Sequence, residues 1–513
     1  MGNVYLAGSF ANAVALGGTT LTSFGDRDVF VAKFNPASNQ FVWAQRAGGT
    51  GYDVAYALAV SGTNVYVAGH FDSPTANFGP TTLTNVGTNT STDVFVAKLT
   101  DMGSTGSFAW AQRAGGTGYD SATALAVSGV SVYVAGLFSS PTASFGPTNL
   151  TNLGFTNTFV AKLTDAGSTS GFVWAQRAGG LGYNVAYNLT VSGTSVYVAG
   201  AFNDSGASFG ATTLATAGGF DLFVAKLTDA GTVGSFAWAQ RAGGTGDDIA
   251  YTLAVSGTNV YVAGIFDSPT AGFGATNLIN LGFSDVFVTK LTDAGGTGSF
   301  AWAAQAGGTG DDRAYTLVLS GANLYVAGAF SSPTTNFGSA TLTNSVSTGT
   351  YDIFVAKLTD SGNAGSFAWA QRAGGTAQDG ASVLALSGTS VYVAGTFEGP
   401  TAGFGATTLT NPTLNRPLGF LASLTDPTLT ATTPTAGPRE PASLFPNPAR
   451  HTATLRWPAG TAPAPLTLTD ALGRAVRRYP APAGPEAALD LRGLPAGLYL
   501  LRGAGPAQRL AVE

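Results

Sequence analysis

The chain is 513 residues long, and only 10% of them are charged, against about a quarter in ordinary soluble domains. It has no Cys and only two His, His70 and His451, which excludes thiol chemistry, disulfide frameworks and Cys/His zinc sites. With a net charge of −5 and Lys and Arg spread thinly, no basic patch for nucleic acid can be assembled from adjacent sequence, and no apolar run is long enough for a transmembrane helix.

Met1-Gly2-Asn3-Val4-Tyr5 opens on a strand-like segment, without the charged and apolar regions of a secretory signal. Three words then repeat along the chain. Val-Tyr-Val-Ala-Gly starts at Val4, Val65, Val132, Val196, Val260, Leu324 and Val391, with altered copies at Val4 and Leu324 and a period of 61 to 67 residues. Phe-Val-Ala-Lys starts at Phe30, Phe95, Phe159, Phe223, Phe287 and Phe354 (with Thr289 in the copy at Phe287), and becomes Phe-Leu-Ala-Ser at Phe420. Trp-Ala-Gln-Arg-Ala-Gly-Gly starts at Trp43, Trp110, Trp174, Trp238 and Trp369, with a damaged copy at Trp302. Periods of this size signal a repeat architecture.

The second unit predicts four strands. Strand a covers Asp53 to Val60, and Ser61-Gly62-Thr63-Asn64 is a hairpin loop leading into strand b, Val65 to Gly69. A Pro- and Gly-marked excursion, Ser73-Pro74 to Gly79-Pro80, precedes strand c, Asp93 to Leu99; strand d is Phe108 to Arg113. No sustained 3.6 period is present, and the apolar residues do not alternate cleanly with polar ones, so the strands are expected to be covered on both faces. That pattern predicts an all-β, seven-bladed β-propeller over residues 1–424, with an open β-solenoid as the alternative. Strands b and c occur seven times, but a and d only six, so the first blade should lack its strand a and the last its strand d. A d-a segment and an export signal before Met1 are therefore expected.

The unit also resembles the SBBP-type β-propeller repeats of bacterial surface and secreted proteins. The resemblance rests on Asp221-Leu222-Phe223-Val224-Ala225-Lys226-Leu227, Asp229-Ala230-Gly231, Gly243-Gly244-Thr245-Gly246-Asp247-Asp248 and Val260-Tyr261-Val262-Ala263-Gly264. It implies a propeller, commonly seven-bladed, without a shared enzymatic activity.

Chemistry candidates are few. Gly206-Ala207-Ser208-Phe209-Gly210 fits the nucleophile-elbow pattern, but other units place Asn77, Ser144, Gly272, Asn336 and Gly403 at the Ser208 position. Carboxylates open strand a at Asp53, Asp120, Asp248, Asp312 and Asp379, with Asn184 in the remaining unit. Asp at such a point caps a Gly-rich turn. With strand a innermost, the same residues could instead ring one mouth of the channel and attract a weakly bound Ca²⁺ or sugar hydroxyls. The spacing is not that of an EF-hand, and no other metal, cofactor or catalytic residue is expected. Lys33, Lys98, Lys162, Lys226, Lys290 and Lys357 end strand c, and Arg46, Arg113, Arg177, Arg241 and Arg372 lie in strand d; each is expected to face an Asp of its own or the next blade. His70 has no counterpart in other units and reads as a loop residue. The recurring Trp and Tyr read as blade-to-blade packing. Departures from the repeat look scattered, at Trp302-Ala303-Ala304-Gln305, Asn157-Thr158 and Asn203-Asp204-Ser205, rather than gathered on neighbouring blades.

Composition shifts at Asp426. Residues 425–443 read as a mobile Pro/Thr-rich linker, and residues 444–513 as a small Ig-like β-sandwich of short strands between Pro/Gly turns. Leu444-Phe445-Pro446-Asn447-Pro448, Asp470-Ala471-Leu472-Gly473-Arg474, Leu494 to Arg502 and Arg509-Leu510-Ala511-Val512 resemble the type A C-terminal sorting domain of the Bacteroidetes type IX secretion system. The resemblance implies that Pro446, Asn447, Pro448, Gly473, Arg474, Gly497, Tyr499 and Arg509 belong to the sorting signal. It also implies the secretion machinery as a partner and a secreted or outer-surface location. The functional expectation is a non-enzymatic binding or adhesion scaffold for an extracellular glycan or protein. The alternatives are a polysaccharide-active enzyme or its carbohydrate-binding subunit, and a spacer with no ligand.

Overall fold

Each repeated word forms a strand, and the four strands of a unit pair antiparallel in the order a-b-c-d. In the second unit these are Asp53–Ser61, Asn64–Phe71, Asp93–Asp101 and Gly106–Ala114. The computed structural model describes residues 2–87, 91–346, 349–413, 416–426, 428–429 and, toward the C-terminus, 443–445, 448–456, 465–469, 475–481, 484, 486–495, 497–503 and 505–512. Four more sheets repeat the order, with their a strands at Asp120–Ser128, Tyr183–Ser192, Asp248–Ser256 and Asp312–Ser320. The first sheet holds b, c and d only (Val4–Phe10, Asp28–Asn35, Gln40–Ala47), and the seventh holds a, b and c only (Asp379–Ser387, Ser390–Phe397, Leu418–Thr425). The fold is all-β: a seven-bladed propeller with incomplete first and last blades.

Successive a strands lie side by side from the second blade to the seventh, which makes a the innermost strand. Gly2 N donates to Ser387 Oγ at 3.4 Å and brings the first blade to the last. Side chains alternate between two cores, as strand geometry requires. Val65 and Val67 pack with Val29, Val31 and Trp43 of the preceding blade, while Tyr66 and Ala68 pack with Val132, Val134 and Phe138 of the next. Both faces are therefore apolar, and for this reason the sequence shows no clean alternation. Glycine opens strand d because the preceding blade's Trp lies flat against it: a Cβ on Gly106 would sit 2.9 Å from the Trp43 ring.

The excursion between b and c is itself structured. In the second blade Thr75–Phe78 and Thr81–Thr84 form a hairpin, and Phe78 is buried against Phe95 (ring centroids 4.8 Å) and Phe108 (5.7 Å). Asn77 exchanges backbone hydrogen bonds with Gly48, at the end of the preceding blade's strand d. The hairpin thus clamps two blades together.

The chain divides between Thr432 and Thr433. This moves the start of the linker, because Asp426 and Leu429, placed in the linker by composition, are buried in the propeller unit. The rest of that segment, residues 430–442, lies outside the described residues. In the second unit Ser443–Phe445, Thr452–Arg456 and Glu486–Asp490 form one sheet, and Leu466–Thr469, Ala475–Tyr479, Gly497–Gly503 and Gly505–Val512 another. Ala453, Leu455, Leu468, Leu489, Tyr499 and Leu510 fill a common core, so this unit is a small β-sandwich.

Candidate ligand-binding face

Most of the repeated charges hold blades together. Lys33 Nζ reaches Asp101 Oδ2 of the next blade at 2.7 Å, and the same rung recurs as Lys98–Asp165, Lys162–Asp229, Lys226–Asp293, Lys290–Asp360 and Lys357–Asp426. Asp101 also accepts from Tyr5 Oη (2.5 Å), Trp43 Nε1 (3.0 Å) and Gly103 N (2.9 Å). Burial alone would raise its pKa; these donors outweigh burial and bring it to about 2. Among the described residues no rung joins the seventh blade to the first, where Ser423 replaces the Lys and Asn35-Pro36 replaces Thr-Asp. The strand-d Arg pairs within its own blade, as in Arg46–Asp28 (2.7 Å) and Arg241–Asp221 (2.6 Å). In the fifth blade Gln305 replaces it and turns to the Ile279 backbone instead. Asp285 is left buried without a cation, accepting from Leu281 N, and burial, aided by Asp312, pushes it up to about 7.

The carboxylates at the start of strand a do not ring the channel mouth. Asp53 is fully buried, and its Oδ2 accepts from Gly49 N (2.6 Å) and Ser73 Oγ (2.8 Å). Asp120, Asp248 and Asp312 accept a Ser hydroxyl in the same way. They cap the turn, because a hydroxyl and an amide are within reach inside the blade and water is not. Asp379 lines a cavity.

What faces the channel is a residue the repeat hides. Every a strand carries a β-bulge after its Ala, and the residue left out of the pairing, with the ladder resuming at the next position, is Tyr56, Thr123, Tyr187, Tyr251, Tyr315 or Ser382. A bulge re-aims the side chain that it leaves out of the ladder. Tyr187, Tyr251 and Tyr315 form a continuous wall, with ring centroids 5.3 and 5.5 Å apart. Burial raises the pKa of Tyr251, so its hydroxyl stays protonated. At or just before the start of strand a, in the second, third and fourth blades, Tyr52, Tyr119 and Tyr183 are half-exposed, and in the loops before strand c Phe24, Phe155 and Phe283 are exposed by 66%, 64% and 79%. Phe155 stacks on Tyr183 at 4.9 Å and 3°. The signal was available in the sequence: one position in strand a varies between Tyr and small polar residues while the Ala before it and the Leu two places after it stay the same.

Two blades depart from the repeat together, against the expectation of scattered departures. Arg313 in the sixth blade binds Asp311 through one guanidinium edge, Nε and Nη2, Tyr351 Oη donates to the same Asp311, and the Arg313 guanidinium lies 5.7 Å from the Tyr351 ring centre. Beside them Gly380, Ser382 and Glu398 of the seventh blade leave a cavity of about 340 Å³.

His70 is not a loop residue. It lies buried in strand b, between the rings of Tyr56 and Tyr119 (both 5.4 Å), with Nδ1 3.0 Å from Ser121 Oγ. Burial pushes it down to about 4, so it is neutral at pH 7. Ser208 sits in a b–c hairpin, and its Oγ donates to Gly210 O at 3.2 Å. Among the described residues no group of three or more His, Asp or Glu is placed to hold a metal ion, and no helix is long and apolar enough to cross a membrane.

In the C-terminal unit Tyr499 is buried and donates to Pro495 O at 2.7 Å, while Gly497 and Arg509 pair through the backbone with Val512 and Leu500. Pro448 is exposed at the entrance to this unit. Pro446, Asn447, Gly473 and Arg474 lie outside the described residues.

The propeller is similar to a functionally unknown protein from Desulfotomaculum acetoxidans (13% identity, 73% of this chain and 88% of that one, TM-score 0.38). It is also similar to a protein from Lactobacillus plantarum (14% identity, 77% and 95%, TM-score 0.35). Neither likeness bears on function. No curated protein matches the chain. Residues 443–509 match the family described as the secretion system C-terminal sorting domain. The chain thus ends in a sorting domain, which supports its export by the type IX secretion system to the cell surface or the medium.

Proposed function

We propose that the exported chain is a binding module, without enzymatic activity of its own, and that its aromatic face binds extracellular glycans. The observation that carries this reading is the wall Tyr187–Tyr251–Tyr315, set by bulges on the innermost strands. Tyr joins an apolar ring, which can cover the C–H face of a sugar, to a hydroxyl that can meet sugar hydroxyls. A run of partly exposed aromatic rings on the innermost strands supports a site of interaction rather than ordinary surface. The C-terminal sorting domain supports the same setting, since extracellular glycans are met only after export. The SBBP-type repeat and a Bacteroidetes origin, inferred from the resemblances above, fit this reading.

The test is a glycan array probed with the full chain, beside a panel of polysaccharide hydrolase substrates. Glycan binding lost in Tyr251→Ala, with no hydrolysis by the parent, supports the reading. Binding that the substitution leaves unchanged, or turnover of any substrate, overturns it.

A further inference from the structure

The seventh blade differs from the others at four positions that converge on one cavity. Gly380 stands where other blades have Val54, Ser121, Val185, Ile249 and Arg313, and Ser382 where they have the bulged Tyr or Thr. Glu398 replaces Asp72, Ser139, Asn203, Asp267 and Ser331; Gly399 replaces Ser73, Ser140, Asp204, Ser268 and Ser332. The first two changes remove bulk and open the cavity of about 340 Å³, lined by Arg313, Tyr315, Tyr351, Asp379, Ser382 and Glu398. That volume lies at the small end of ligand sites.

The other two changes alter its charge. In four blades the Asp of strand a is hydrogen-bonded by a Ser hydroxyl, at 2.6 to 2.8 Å. Gly399 has no hydroxyl to offer, so Asp379 Oδ2 keeps the Gly375 N–H (2.5 Å) without the Ser hydroxyl that the other blades add there; its Oδ1, like that of Asp248, has no side-chain or backbone partner, and the residue is only 3% exposed. Glu398 adds a second carboxylate to the cavity. The one cation on the wall, Arg313, is paired through its Nε–Nη2 edge with Asp311, so its charge is matched there and the two cavity carboxylates remain in excess. The cavity therefore has two uncompensated negative charges and two tyrosine rings, Tyr315 and Tyr351. Aromatic faces and carboxylates together favour a cation, above all an organic ammonium, whose carbon skeleton the rings can cover.

We infer that the cavity between the sixth and seventh blades is a subsite for the ammonium group of an amino sugar. The inference rests on the glycan reading above and names the sugar class this end of the aromatic face selects. The amino sugar's ring lies against Tyr315, its ammonium donates to Glu398, and Asp379 beneath supplies the second negative charge. Neutral sugars and N-acetylated sugars lack that charge and are bound less well here.

The test is isothermal titration of the full chain with glucosamine tetramers and with their fully N-acetylated counterparts, together with saturation-transfer NMR using free glucosamine and glucose. The expected result is at least tenfold tighter binding of the amino form. Glu398→Gln should erase that preference without moving the melting temperature, and Ser382→Tyr, which restores the bulk of the other blades, should abolish glucosamine binding. Equal affinity for amino and N-acetyl forms, or a preference that survives in Glu398→Gln, overturns the inference while leaving the glycan reading intact. Glucosamine binding with a silent glycan array would overturn the broader reading instead. Binding of lysine-rich peptides with no response to amino sugars would likewise overturn the subsite assignment.

Discussion

Lys162 Nζ lies 2.6 Å from Asp229 Oδ2, across the seam between the third and fourth blades, with both side chains more than nine-tenths buried. The same Asp229 accepts from Tyr133 Oη (2.7 Å), Trp174 Nε1 (3.0 Å) and Gly231 N (2.9 Å), so one carboxylate gathers the three repeated words of the preceding blade. Removing Lys162 leaves a buried carboxylate without its counter-charge, which typically costs about 3–5 kcal/mol. Lys162→Ala should therefore lower the chemical-denaturation midpoint of the propeller sharply. A change below about 1 kcal/mol would show the rung to be dispensable.

The rungs also set acid behaviour. Asp101 titrates at about 2 in the folded chain, below the roughly 3.9 of an unfolded Asp. A group whose folded pKa is depressed contributes stability that is present above the unfolded value and lost as pH falls through the folded one. Acid unfolding should therefore set in between pH 4 and pH 2, and Asp101→Asn should flatten that limb. Circular dichroism against pH would show it.

Asp285 behaves in the opposite sense. Its folded pKa is pushed up to about 7, so the contribution of this group is greatest below the unfolded Asp value and is lost as pH rises through 7. Gln305→Arg supplies the partner that the other blades have, and should raise the melting temperature at pH 8 by several degrees but little at pH 4. The same gain at both pH values would mean the effect is not electrostatic.

The domain boundary gives a further prediction. A chain ending at Thr432 should keep the propeller's melting temperature and lose export in a host with the secretion system. A chain ending at Leu424 should melt lower, because it discards Asp426, which binds Lys357 Nζ (3.0 Å) and Tyr325 Oη (2.8 Å). Export of either truncated chain would contradict the sorting role of the C-terminal unit.

On the aromatic face, Tyr251→Ala should weaken glycan binding by tenfold or more, equivalent to about 1.4 kcal/mol, with only a small loss of stability because the ring is partly exposed. Tyr66→Ala should do the reverse, since that ring is fully buried between blades. Titration calorimetry and thermal melts of the two variants would separate the roles.

The sequence by itself determined the four strands of each blade and their order, though not the hairpin inside the excursion between b and c. A word of β-branched and aromatic residues, bounded by Gly turns and repeated every 61 to 67 residues, has one stable arrangement that buries both faces of each sheet. It also determined that the repeated Lys and Arg would find Asp partners, since so few charges cannot be buried unpaired. The tertiary structure decided the rest. Whether Asp53 or Tyr56 faces the channel depends on a single-residue bulge, which no periodicity reveals because it shifts the register of one strand against its neighbour. Whether departures from the repeat gather depends on how blades meet: Arg313 and Glu398 are 85 positions apart in sequence and line one cavity. His70 reads as a loop residue in sequence because it has no counterpart in other units; burial between Tyr56 and Tyr119 of adjacent blades is a property of the seam, which exists only once the blades have packed.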